Sequence, residues 1–129
     1  MPVRFTSNNF ENGRGFQFGY KSTYVAPDMT YRIGECGGNF TTKSGLFTSP
    51  SFPEKYPINV DCVWTISRPN GSLIRIEFMS MDMEMVWSQC YDYVEIRDGA
   101  SESSPLLGKV CGDDIPTPQL STQNNLWIR

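Results

Sequence analysis

The chain has 129 residues, 11 Lys and Arg against 14 Asp and Glu, no histidine, and a formal net charge of -3. That length holds one small domain, or one domain and a piece of another. The negative balance and the lack of a clustered basic patch argue against nucleic acid or an anionic membrane surface as a partner, and no run of 18 apolar residues predicts a membrane-spanning helix.

Residues 1–20 are too polar for the apolar core of a secretory signal. If the protein is secreted, the sequence therefore reads as an internal piece of a longer chain. Phe16, Phe18 and Tyr20 alternate with small or polar residues and predict a strand. Residues 21–35, KSTYVAPDMTYRIGE, have no clear period, contain Pro27-Asp28 and read as a linker. Val63-Trp64-Thr65-Ile66 is a short apolar strand after Cys62. Asn70-Gly71 marks a tight turn. Leu73 to Phe78 then alternates, with Ile74, Ile76 and Phe78 on one face and Arg75 and Glu77 on the other. Methionines follow at 79, 81, 83 and 85, a pattern open to two readings: alternate core positions of a strand, or an adaptable binding surface.

Tyr91 to Arg97 alternates again, with Val94 and Ile96 inward and Glu95 and Arg97 outward, and Asp98-Gly99 turns the chain. Leu126-Trp127-Ile128 begins one more strand. Prolines at 50, 53, 57, 105, 116 and 118 punctuate the loops. Helix signals are almost absent, so the class is all-β, a sandwich or barrel.

Four cysteines, Cys36, Cys62, Cys90 and Cys111, make an even count that suits two disulfides and an oxidising compartment. The rival is metal binding, which would need four widely spread thiolates, since there is no CxxC pair and no histidine. Two sequons, Asn39-Phe40-Thr41 and Asn70-Gly71-Ser72, point to N-glycosylation in a secreted setting. Read alone, each is as compatible with an ordinary exposed asparagine.

The order of marks from Cys36 to Arg129 resembles the CUB domain family of extracellular modules. Cys36-Gly37-Gly38 comes first, then Ser49-Pro50-Ser51-Phe52-Pro53-Glu54-Lys55-Tyr56-Pro57, similar to the family's SPNYPxxYP. Cys62-Val63-Trp64-Thr65-Ile66 matches C-x-W-x-I, Phe78 to Glu84 follows, Cys90-Tyr91-Asp92-Tyr93-Val94 matches C-x-YD-x-V, and Cys111-Gly112 comes after. The resemblance implies a jelly-roll β-sandwich of antiparallel strands with two disulfides, Cys36–Cys62 and Cys90–Cys111. A CUB domain continues past the point matching Arg129 with a strand like F-x-SD and a closing G-F-x-x-x-Y. Those parts resemble Phe5-Thr6-Ser7-Asn8 and Gly15-Phe16-Gln17-Phe18-Gly19-Tyr20, and Val3-Arg4 echoes Ile128-Arg129.

Residues 1–20 therefore look like the C-terminal strands of a preceding repeat, 21–35 a linker, and 36–129 a CUB domain without its last strands. Left alone, such a domain exposes unpaired edges. Residues 1–20 are a suitable replacement, either folded back within the chain or donated to a neighbour. The 15-residue tether spans at most roughly 50 Å, enough for the first route.

The family's calcium-binding members hold Ca²⁺ with a Glu after the F-x-x-x-D stretch, the Asp of C-x-YD and an Asp in the F-x-SD strand, with a Tyr of the YPxxYP loop in support. Position by position these are Glu84, Asp92, Asn8 and Tyr56. Asn8 departs from the pattern, offering one neutral carbonyl oxygen in place of a carboxylate. Hard oxygen donors on loops suit Ca²⁺; read by spacing alone, Glu84 and Asp92 are two solvated loop acids. The resemblance further implies an extracellular, calcium-dependent module that binds Lys or Arg of a protein ligand, with Tyr91 and Trp87 as candidate contacts and neighbouring CUB repeats beside it. Among such proteins the arrangement is most similar to cubilin-like endocytic receptors. The alternatives are an exosite or scaffold module of a secreted tolloid-like metalloprotease, or a structural spacer repeat. Catalysis has no support: there is no histidine and nothing resembling a nucleophile elbow.

Overall fold

The structure, a computed structural model, describes residues 4–8, 13–22, 29–86 and 89–129. Among them all regular structure is β, arranged in two large sheets and a two-stranded one, and no helix is long and apolar enough to cross a membrane. One sheet runs β4 (Gly38–Phe40), β7 (Trp64–Ser67), β14 (Asn125–Ile128), β11 (Tyr93–Arg97), β1 (Arg4–Thr6), β6 (Asp61–Cys62), with β12 (Leu106–Val110) also on β11. The other runs β13 (Gln119–Leu120), β8 (Ile74–Asp82), β2 (Gly15–Ser22), β5 (Ser44–Pro50), β3 (Met29–Gly34). A small pair, β9 (Met85–Val86) and β10 (Gln89–Cys90), lies apart. Both disulfides, Cys36–Cys62 and Cys90–Cys111, are formed as the family resemblance implied.

The two sheets meet over an aromatic core. Alternation on β2 sends Phe16, Phe18 and Tyr20 inward, and β1 adds Phe5. Phe16 has no exposed surface and its ring meets Phe5, Phe18 and Trp64 edge-on, with centroids 5.1, 5.1 and 5.7 Å away. Edge-to-face contacts at such separations are the favoured aromatic geometry.

The placement of β1 and β2 follows from what each neighbour lacks. β14 pairs with Ile96 and Arg97 of β11 and ends there; β1 takes up the same side of β11 at Glu95, Val94 and Tyr93. On their other side β14 pairs with β7 and β1 with β6. The two short strands thus share one lane of the sheet. β2 fills the second sheet between β8 and β5. Its entry requires glycine: Gly15 has φ +91°, and a Cβ there would lie 1.8 Å from Ser49 Oγ.

Several sequence readings change. Met29–Gly34, read as linker, forms edge strand β3, because its backbone pairs with β5; residues 23–28 lie outside the described residues. The sandwich is not wholly antiparallel, since β3 on β5 and β4 on β7 run parallel. Glu95, read as outward, is buried and accepts from Arg97 Nε at 2.8 Å, because the segment bearing Ser104 also engages Arg97 and closes over that face. The methionines split. Met81 and Met83 are core while Met79 is 58% exposed. The register between β2 and β8 slips between Gln17 and Phe18, which leaves Met79 as an extra residue and shifts the inward positions after Phe78.

Candidate functional site

Four loops converge where β1 ends, β8 ends and β11 begins. Asp92, just before β11, has no exposed surface. Its Oδ2 accepts a 2.5 Å hydrogen bond from Tyr56 Oη, and its Oδ1 accepts one of 2.9 Å from the Asn8 main-chain N–H. Tyr56 is itself fully buried, with Phe5 against its ring at 4.7 Å. Its hydroxyl in turn accepts from the main-chain N–H groups of Glu84, at 3.2 Å, and Gly13. Asn8, Tyr56, Glu84 and Asp92, separated by up to 84 positions in sequence, thus form one hydrogen-bonded cluster.

Each connection has a local cause. Ser7 locks the end of β1 to the 57–60 loop: its N–H donates to Val60 O at 2.8 Å, its hydroxyl donates to Pro57 O at 2.9 Å, and it accepts from Val60 N at 3.0 Å. Asn59, in a left-handed conformation that asparagine tolerates, donates to Asn8 O. Gly13 packs on Asp82, where a Cβ would lie 2.4 Å from the main-chain oxygen, so the chain passes close to the end of β8.

Burial, and next the hydrogen bond donated to Asp92, push the Tyr56 phenol well above its ordinary pKa. It is therefore held as a neutral donor. Asp92 takes part in none of the ion pairs among the described residues. Two hydrogen bonds leave a lone-pair position on each of its oxygens. A buried carboxylate with neutral donors and no basic partner suits a cation, since burying a lone charge is costly. Among the described residues no three acidic, histidine or cysteine side chains gather into a ready metal cluster. The Asp92 carboxylate sits in the cluster itself; Glu84 and Asn8 enter it through main-chain N–H groups and carry further side-chain oxygens. That is hard-oxygen chemistry, compatible with Ca²⁺ and with no soft metal.

Tyr91, next to Asp92, is 46% exposed. Trp87, the other candidate contact, lies outside the described residues. The sequence reading missed the exposed pair Asp113-Asp114, which Met83 N–H brings to the end of β8 by a 2.9 Å bond to Gly112 O. Their signal was the loop directly after Cys111, but nothing in the spacing ties that loop to β8.

The described residues thus form a small disulfide-stapled β-sandwich with an acidic loop cluster at one end. The comparisons are specific. The CUB domain family model matches residues 36–129, and the chain belongs to the CUB domain family. It is 39% identical to bone morphogenetic protein 1 of Xenopus laevis over 98% of the chain but 16% of that protein. It is 36% identical to cubilin of Sus scrofa over 98% of the chain and 3% of that protein, and 44% identical to human tolloid-like protein 2 over 76% of the chain and 10% of that protein. The chain therefore spans a small fraction of these relatives. CUB domains are non-catalytic protein-interaction modules, and occur as tandem repeats in the relatives.

Proposed function

We propose that the chain is an extracellular, calcium-dependent protein-binding module from a tandem-CUB protein. Glu84, Asp92 and Asn8 are the Ca²⁺ ligands in this reading, with Tyr56 as their support. Asp92 carries it: a fully buried carboxylate that joins Asn8 to Tyr56 without a basic partner among the described residues. When bound, Ca²⁺ supplies positive charge to that carboxylate. The chain's own residues do the rest. Tyr56 fixes the Asp92 carboxylate and the Glu84 backbone at one point, and Asn8 N–H fixes its other oxygen. The exposed acids Asp113 and Asp114, next to the Gly112 that Met83 holds, and the exposed Tyr91 then suit a Lys or Arg of a protein ligand through charge-assisted contacts.

The tandem reading is supported by the matches to bone morphogenetic protein 1 and cubilin, each of which covers 98% of the chain and so extends beyond the 36–129 domain. Residues 1–20 are then the closing strands of one repeat, 21–35 the join, and 36–129 the next repeat. A cubilin-like endocytic receptor is the first reading of the parent. The 44% identity to tolloid-like protein 2 favours a second: a substrate-recruiting module beside a tolloid-like protease.

The test is a calorimetric calcium titration of the chain beside Asp92→Asn, with circular dichroism melts to check folding. Saturable heat in the parent chain and none in a folded variant is the expected result. Equal heats in both, or no heat in a folded parent chain, overturns the assignment.

A further inference from the structure

We infer that Asn39 and Asn70 both carry N-linked oligosaccharides, and that both sugars project from the parts of the sandwich away from the acidic loop cluster. The inference rests on the secretory reading of the chain and not on the calcium assignment.

The two sequons sit in different local structure, a turn and an edge strand, but both asparagines are exposed. Asn70 is the second residue of a turn closed by a 3.1 Å bond from Ser72 N to Pro69 O, with Gly71 at φ +88° and nothing within 4 Å of the Cβ it lacks. Asn39 is exposed on β4, which among the described residues pairs with β7 alone and so ends its sheet. In both residues the contact among the described residues is made by the side-chain oxygen and not the nitrogen. Asn39 Oδ1 accepts from Thr65 Oγ1, and Asn70 Oδ1 accepts from Asn124 Nδ2 at 3.3 Å. Glycosylation bonds the sugar to Nδ2, so each asparagine keeps its native contact after modification. Ser72 is buried. That does not oppose the reaction, because the sequon is read on the extended chain before the sandwich closes.

The group transfer balances without a redox partner. Nδ2 forms a bond to the anomeric carbon of a lipid-linked oligosaccharide. The bond from that carbon to the lipid diphosphate breaks, the diphosphate leaves with the electron pair, and the amide releases one proton.

Topology sets where the sugars lie. The Pro69–Ser72 turn feeds β8, which runs Ile74–Asp82 before the chain reaches Glu84. The eight steps from Ile74 to Asp82, at about 3.3 Å each, separate the turn from the acidic cluster by roughly 26 Å of strand. Asn39 pairs with Thr65 of β7, and the main-chain oxygen two residues on, at Thr41, accepts from Arg68 at the same turn. Both sites therefore leave Tyr56, Glu84 and Asp92 open to a ligand.

The experiment is secretion of the full chain from eukaryotic cells behind a heterologous leader, followed by intact mass before and after peptide N-glycosidase in H₂¹⁸O. Two oligosaccharides are expected, with labelled Asp at positions 39 and 70. Asn39→Gln and Asn70→Gln should each remove one, and Thr41→Ala should act like the first while Ser72→Thr keeps the second. Unmodified asparagine at either position in the secreted wild-type chain overturns that site without any variant. Calcium-titration heats should be unchanged within twofold in affinity after enzymatic removal of the sugars, which is done on folded protein. A larger change overturns the placement away from the cluster, and absence of calcium binding in both forms bears on the cation assignment alone.

Discussion

Phe16 tests whether β2 belongs to the fold. Its ring is fully buried and touches Phe5, Phe18 and Trp64, so three segments far apart in sequence lose contacts if it is cut back. Phe→Ala in a packed core costs about 3 to 5 kcal/mol, from lost transfer energy and the cavity left behind. Unfolding entropy near 2.1 cal/mol/K per residue gives roughly 0.27 kcal/mol/K for 129 residues. Phe16→Ala should then lower Tm by about 11 to 19 °C, and Phe16→Asp by more, since it also buries an unpaired carboxylate. Met79→Ala is the control: that side chain is 58% exposed, so its change should stay within about 0.5 kcal/mol, or about 2 °C. Thermal melts under non-reducing conditions, at several protein concentrations, read all three. Completion within one chain requires melts independent of concentration. A Phe16→Ala shift no larger than that of Met79→Ala would refute the packing of residues 15–22 into this core.

Tyr56→Phe removes the one hydroxyl that reaches Asp92 and leaves a buried carboxylate oxygen without that donor, a loss of about 1 to 3 kcal/mol measurable by urea unfolding at neutral pH. The same variant changes the alkaline limb. Burial raises the folded-state pKa of Tyr56, so its contribution is complete below the ordinary tyrosine value near 10 and is lost as pH rises above it. Between pH 10 and 12 the wild-type slope should exceed that of Tyr56→Phe by up to about 1.4 kcal/mol per pH unit; parallel slopes would remove Tyr56 as the cause. The disulfides close spans of 26 and 21 residues, which the chain-entropy model converts to roughly 3 kcal/mol apiece. Cys36→Ser/Cys62→Ser and Cys90→Ser/Cys111→Ser should lower Tm similarly, but only the second pair should also weaken calcium-induced stabilisation, because Cys90 and Cys111 flank Asp92 and Gly112.

Legibility in the sequence followed the range of the forces. The alternation of Ile74, Ile76 and Phe78 and the turn at Asn70-Gly71 are local, and the structure has both. The disulfide pairing came from family resemblance, because two bridges among four cysteines can be drawn three ways. Met81 and Met83 part from Met79 because the bulge at Met79 depends on β2, a strand more than 50 residues away in sequence. Glu95 was misread for a similar reason: Arg97 and the segment bearing Ser104 cover a face that alternation alone assigns to water. Met29–Gly34 has too little apolar periodicity to announce a strand. It becomes one because β5 offers a free edge, and its residues Met29, Tyr31 and Ile33 stay 43 to 59% exposed there. For the site, residue types marked Glu84, Asp92 and Tyr56 as candidates, but nothing local joins them; the hydrogen bonds that do so span 28 to 84 positions.

Those long spans tie the proposed cation site to folding. Asn8 reaches Asp92 only because β1 continues the lane of β14 along β11, and Tyr56 reaches it only because Ser7 pins the 57–60 loop to the end of β1. An unfolded or incomplete sandwich scatters the donors and has no comparable site. A ligand that binds only the assembled state stabilises it by RT ln(1 + [L]/Kd), about 2.7 kcal/mol at a hundredfold excess over Kd. At roughly 0.27 kcal/mol/K that raises Tm by about 10 °C. The rise should vanish in Asp92→Asn and persist in Met79→Ala, since Met79 lies on the outer surface and only Asp92 is in the cluster. Phe16→Ala should keep the rise, though from a lower starting temperature, provided β1 still holds Asn8 in place. Loss of the calcium response in that variant would mean that β2, and not β1 alone, sets the geometry around Asp92.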